Sequence, residues 1–97
     1  MIVHMMKEAS DFTEDKDVAA RLREECIRPV VKSGRTVTLD FTGVRLATQS
    51  FIHALISDVL RRGGEAVLQR IVFKGCTKEV KGIIGTVVQY SLEGVED

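Results

Sequence analysis

The chain has two cysteines, two histidines, one proline and no tryptophan in 97 residues, and each shortage closes off a class of protein. Cys26 and Cys76 stand far apart, and neither has a second cysteine or a histidine at metal-ligand spacing, which argues against a metal site and for a reducing compartment. Four Phe and one Tyr are the only aromatic residues, too few for a platform on which nucleic-acid bases could stack. Charge of one sign is missing as well. Lys plus Arg and Asp plus Glu each number 14, giving a formal net charge of zero, so no overall field steers the chain toward nucleic acid or an acidic membrane. No apolar run approaches the length of a bilayer, and MIVHMM at the start is too short for the apolar part of a signal peptide. These features together read as a cytoplasmic protein with no cofactor. Neither a Walker nor a dinucleotide fingerprint occurs, since the glycines of GRT and GG are too few for a phosphate loop.

What is present is ordinary globular material. Hydrophobic residues make up 44% and charged residues 29%, a balance that folds, and the length suits a single domain over residues 1–97 with one core and little space for a catalytic cleft. Ile2 to Met6 suits a strand, and the polar segment Ala9 to Asp15 reads as loop, with Thr13 or Asp15 as a helix cap. Val18, Leu22, Cys26 and Val30 then recur on one helical stripe. Pro29 donates no hydrogen bond, so the reading expects a kink or an early end near Arg28, with Gly34 closing the segment.

Thr36 to Phe41 alternates and predicts a strand with Val37, Leu39 and Phe41 on one face. Phe51 to Leu60 carries a wide apolar stripe, ended by Arg61, Arg62 and the Gly63-Gly64 pair. Val67 to Phe73 reads as a further strand. A last helix opens at Thr77 and holds Val80, Ile83, Ile84, Val87 and Val88 at helical spacing. Gly82 and Gly85 inside it either allow close packing or mark a break, and in the second case Thr86 to Tyr90 is extended. Strand, helix, strand, helix, strand, helix is the order of an α/β domain whose small parallel or mixed sheet has helices packed against it.

Candidate chemistry is sparse. Asp40 ends a strand without a second carboxylate near it in sequence, which favours a turn-stabilising role. His53, Ser57 and Arg61 share a helix face, read as its solvated side. Cys76 lies at a helix start near Lys74 and Lys78, cations that could lower its pKa, but it has no resolving partner in sequence and reads first as an ordinary free buried cysteine. Ser50 reads as the N-cap of the helix that follows, and Thr48 as a hydroxyl ordering the loop.

The segment LDFTGVRLATQS, from Leu39 to Ser50, resembles the signature of STAS domains, the anti-anti-sigma-factor family. There a strand ends in Asp, a hydrophobic residue and Ser or Thr, and a loop leads into a Ser-containing helix start. Asp40, Thr42 and Val44 match the leading part. Thr48 falls on the family's loop Asp, Gln49 on its acceptor Ser, Ser50 on the second Ser and Phe51 on its Gly. The resemblance implies a STAS-like fold and a regulatory domain, not an enzyme, that docks a histidine-kinase-like ATPase or anti-sigma-like switch factor. The contact residues it implies are Asp40, Thr42, Gly43, Thr48, Gln49, Ser50 and His53, with Ser50 as a substitute phosphate acceptor because Gln49 cannot take a phosphate. A self-associating module, a possible homodimer formed through an open edge strand or the glycine-bearing last helix, is the alternative.

Overall fold

In the computed structural model, which describes residues 1–94, the chain forms an α/β layer structure. Strands β1 (Ile2–His4), β3 (Val37–Asp40) and β5 (Ile71–Lys74) make a parallel sheet in the order β1-β3-β5, and β2 (Phe12–Thr13) pairs with β4 (Leu46–Ala47) in a separate parallel ribbon. All of the pairing is parallel. The register sets Ile2, Thr38 and Val72 in one cross-strand row and His4, Asp40 and Lys74 in the next.

Alternation along the strands decides where the core sits. Val3, Val37, Leu39 and Ile71 turn inward and are buried, under a layer formed by the helices α2 (Lys16–Leu22), α3 (Arg28–Lys32), α4 (Gln49–Ile52), α5 (Asp58–Leu68) and α6 (Lys78–Glu93). The opposite face carries Ile2, His4, Val72 and Lys74, all exposed, with Thr38 and Asp40 half-exposed between them. That face is open to solvent. Parallel sheets are ordinarily covered on both sides, so an open one is an available surface. Among the described residues no helix is long and apolar enough to cross a membrane.

Both helical rods contain a π-type turn. Lys16–Leu22 runs through a π turn at Arg23–Ile27 into Arg28–Lys32 without a break, and Gln49–Ile52 runs through His53–Ser57 into Asp58–Leu68. Of the kink or early end expected near Arg28, the early end is corrected: the helix runs on to Lys32, with a π distortion just before Pro29, and Gly34 at φ 80 follows it. In the first π turn the Arg28 amide reaches back five residues to the Arg23 carbonyl, and this wider turn makes room for Pro29, which has no amide hydrogen to give and whose ring would crowd a regular helix. The extra residue also moves the buried stripe. Ile27 is fully buried where the regular spacing predicts Cys26, which is half-buried.

Other boundaries shift for local reasons. The strand expected over Ile2 to Met6 ends at His4, and Met5–Glu8 makes a single helical turn, α1, that brings Met5 into the core. The expected loop from Ala9 to Asp15 contains β2. Asp15 is the cap of α2, its Oδ1 accepting from the Asp17 amide at 2.9 Å. The strand expected from Val67 begins only at Ile71, because helical turns resume after Gly64 and continue to Leu68. Gly64 itself has φ 64 and ψ −148, a region open essentially to glycine, so the kink falls on the residue pair expected to end the helix. The last helix is unbroken through Gly82 and Gly85, and Thr86 to Tyr90 is helical. Neither glycine serves close packing, since a Cβ at either would meet nothing within 4 Å.

Candidate functional site

The loop after β3 is built by short hydrogen bonds that its own sequence supplies. Asp40 Oδ1 accepts from the Thr42 amide at 2.9 Å and from the Thr42 hydroxyl at 2.7 Å, an Asx-type turn. The Thr42 hydroxyl, followed by its amide, holds the Asp40 carboxyl below the usual carboxylate range, with Lys74 and His4 adding smaller attractions against the cost of desolvation. Phe41 and Val44 point inward and are buried, the Phe41 amide donating to the Lys74 carbonyl at 2.7 Å and the Val44 amide to the Phe41 carbonyl at 2.9 Å. Gly43, at φ +88, crosses over Met6.

The chain then crosses to the small ribbon. The Arg45 and Leu46 amides donate to the Asp11 carbonyl at 2.8 and 3.2 Å, and the Thr48 amide to the Thr13 carbonyl at 3.0 Å. Thr48 is the N-cap of α4: its Oγ1 accepts from the Phe51 amide at 3.1 Å. This corrects the expected cap at Ser50. Phe51 and Ile52 are wholly buried and anchor the turn, while Gln49 and Ser50 stand exposed on it. Burying side chains of this size contributes about 1.5–3 kcal/mol each, enough to hold the exposed pair on a fixed base.

Gln49, Ser50 and His53 line a shallow depression with Lys16 and Ala54. His53 is half-buried, its Nδ1 2.8 Å from the Tyr90 hydroxyl. The residues singled out in the sequence thus divide into two groups. Thr48, Gln49, Ser50 and His53 share the first turns of one rod. Asp40, Thr42 and Gly43 belong to the carboxyl end of the sheet, with His4, Met6 and Gly75.

Sequence reasoning missed the apolar pair beside the first group. Phe12 and Leu46 face each other across the ribbon and are 47% and 46% exposed. Strands of two residues carry no readable alternation, and the only available signal was a lone Phe in a polar stretch. Leu46 also opens a groove of about 550 Å³ that runs along α6 past Lys78, Gly82, Ile83 and Thr86.

One further expectation changes, at His53, Ser57 and Arg61, while Cys76 matches the plainer of its two readings. The face of His53, Ser57 and Arg61 is not solvated, because α6 packs over it and leaves Ser57 2% exposed. Cys76 precedes the cap Thr77 and lies outside the helix. Burial raises its thiol pKa; Lys81 pulls the other way, and Asp40 pushes it up further. Among the described residues no group of three His, Cys, Asp or Glu side chains is placed to hold a metal ion.

No curated protein and no solved structure matches the chain. A family model described as a STAS-like domain of unknown function (DUF4325) matches residues 18–81, well over half of the sequence, and the chain belongs to that family.

Proposed function

We propose that the chain is a non-enzymatic regulatory interaction domain that docks a protein partner through residues 42–50 and the helix turn that follows. The observation that carries this reading is the pair Gln49 and Ser50, exposed on a turn anchored by buried Phe51 and Ile52 and capped by Thr48. Beside them the exposed Phe12 and Leu46 supply apolar contact area. A rigid polar rim next to an apolar centre is how protein interfaces are commonly arranged. Asp40, Thr42 and Gly43 form the outer edge of the surface in this reading, and His53 its inner one.

The STAS-like relationship favours a histidine-kinase-like ATPase or an anti-sigma-like switch factor as the partner. Regulation by phosphate falls to Ser50, since the Thr48 hydroxyl is engaged with the Phe51 amide and Gln49 offers no acceptor. A phosphate there adds about −1.5 to −2 charge, next to Lys16 on the rim of the same depression. The working compartment is the cytoplasm, in keeping with the free thiols of Cys26 and Cys76.

The test is copurification of such a partner with Gln49→Arg and Ser50→Glu variants. Both should lose the partner while the thermal melt stays near that of the parent, and undiminished binding in both sinks the reading. A second reading, self-association, is favoured by Ile2, exposed at 55% on the edge strand β1, with Met1 exposed at 57% just before it. A persistent monomer in sedimentation at micromolar concentration removes it.

A further inference from the structure

Among the described residues, strand β5 has β3 on one side and no strand on the other. The Val37 and Phe41 amides donate to the Arg70 and Lys74 carbonyls, so alternate residues of β5 face the sheet, and the backbone groups of Ile71 and Phe73 point out along the free edge. Among the described residues nothing bonds to them there.

Directly beneath that edge a groove of about 460 Å³ separates β5 from α6. Leu68, Phe73, Lys81, Ile84 and Val88 are among the residues that line it, and Gly85 brings no side chain to it. A Cβ at Gly85 would meet nothing within 4 Å.

The edge is also locally basic in a chain whose net charge is zero. Arg70, Lys74 and Lys81 are exposed, and none of them makes an ion pair among the described residues. Arg70 donates to the neutral Gly34 carbonyl. Asp40, in register with Lys74, accepts from Thr42 and attracts Lys74 only weakly, without a contact ion pair. Along β5 the side chains alternate, with Val72 and Lys74 on the open face, Ile71 buried in the core and Phe73 lining the groove, while Arg70 just precedes the strand.

We propose that β5 and the groove under it are a second recognition site, which accepts an extended segment of a partner protein as an added strand with alternating apolar and acidic residues. The backbone of the added strand pairs with the free groups of Ile71 and Phe73. Its apolar side chains enter the groove over Gly85. Its carboxylates, pointing the other way, meet Arg70 and Lys74. The surface is separate from the Gln49 and Ser50 turn, so each can fail without the other.

A random heptapeptide phage library selected against the whole chain tests this. Enrichment of sequences alternating apolar residues with Asp or Glu is expected, with slower amide hydrogen exchange at Ile71 and Phe73 when the winning peptide is bound. Gly85→Met fills the groove in a helix that tolerates it and should weaken the peptide by about tenfold or more. Lys81→Glu, a surface change, should do likewise, whereas Gln49→Arg should leave peptide affinity unchanged.

No enrichment would mean that the basic residues only keep the edge solvated, as lysines on edge strands commonly do, and would overturn the proposal. Winners that are basic, or that bind the Gly85→Met and Lys81→Glu variants as well as the parent, would also overturn it. So would protection of Ile71 and Phe73 that grows with protein concentration alone, which would assign the edge to a second copy of the chain.

Discussion

The hydroxyls of Ser57 and Ser91 meet at 2.8 Å in the seam between the π turn His53–Ser57 and α6, with 2% and 1% of their residues exposed. One step along the same seam His53 Nδ1 lies 2.8 Å from the Tyr90 hydroxyl, the two rings tilted at 35°. The last helix is therefore seated by two polar pairs within a largely apolar contact. A buried hydroxyl that loses its partner costs more than the pair contributes when both are present.

For that reason Ser91→Ala should destabilise the chain by about 1–3 kcal/mol, whereas Ser57→Ala with Ser91→Ala should lie closer to the parent than either single change predicts. Urea midpoints of the parent, both singles and the double variant decide it. Simple additivity of the single effects would show that the two hydroxyls are not coupled.

Gly75 and Gly85 should respond to alanine in opposite directions. Gly75 has φ +70, and a Cβ there would collide with Thr42 Oγ1 and come within 2.9 Å of the Thr42 nitrogen. Gly75→Ala should cost about 1–3 kcal/mol through backbone strain and should loosen the Asp40 turn. Gly85 lies in a regular helix with open space around it, so Gly85→Ala should stabilise by about 0.5–1 kcal/mol. Denaturant unfolding of both variants measures the contrast, and a loss of stability in Gly85→Ala would contradict it.

The cap assignment separates Thr48 from Ser50. Removing the hydroxyl that accepts from the Phe51 amide, in Thr48→Ala, should cost about 0.5–2 kcal/mol. Ser50→Ala removes an exposed hydroxyl and should stay within about 0.5 kcal/mol of the parent. Thermal melts of the two variants test this, and a larger loss at Ser50 would reverse the assignment.

Acid should weaken the fold through Glu24. Arg28, hydrogen-bonded at 3.0 Å, and then Arg23, at 2.7 Å, lower the Glu24 pKa from 4.5 to about 2. A carboxyl whose pKa is depressed on folding contributes stability above its unfolded pKa and loses it as pH falls through the folded one. The Tm should therefore drop between pH 4.5 and about 2. Glu24→Gln should flatten part of that fall, with Asp40 and Asp58, both also lowered, keeping the rest. Equal slopes for parent and variant would remove Glu24 from the account.

Legibility in the sequence followed the length and regularity of each element. Val37, Leu39 and the stripe of α6 repeat often enough to be read directly. The ribbon of Phe12–Thr13 and Leu46–Ala47 is too short to repeat at all, and so the exposed Phe12 and Leu46 went unseen. Pro29 misled in the other direction, because the residue is incompatible with a regular helix but compatible with a π turn set just before it. The Asp40 turn was readable, since both of its partners are close in sequence. The Thr48 cap was not, because Thr48 and Ser50 are both good capping residues and only the three-residue reach to the Phe51 amide separates them.

By itself the sequence determined the α/β alternation, the inward faces of the strands and the Asp40–Thr42 turn, since each depends on residues adjacent in the chain or on a short period. The tertiary structure alone decided that one sheet face stays open, that α6 covers Ser57, and that Phe12 sits beside Leu46. These are contacts between segments distant in sequence, settled by which arrangement buries the most apolar surface while leaving few polar groups without partners, and no local pattern encodes that balance.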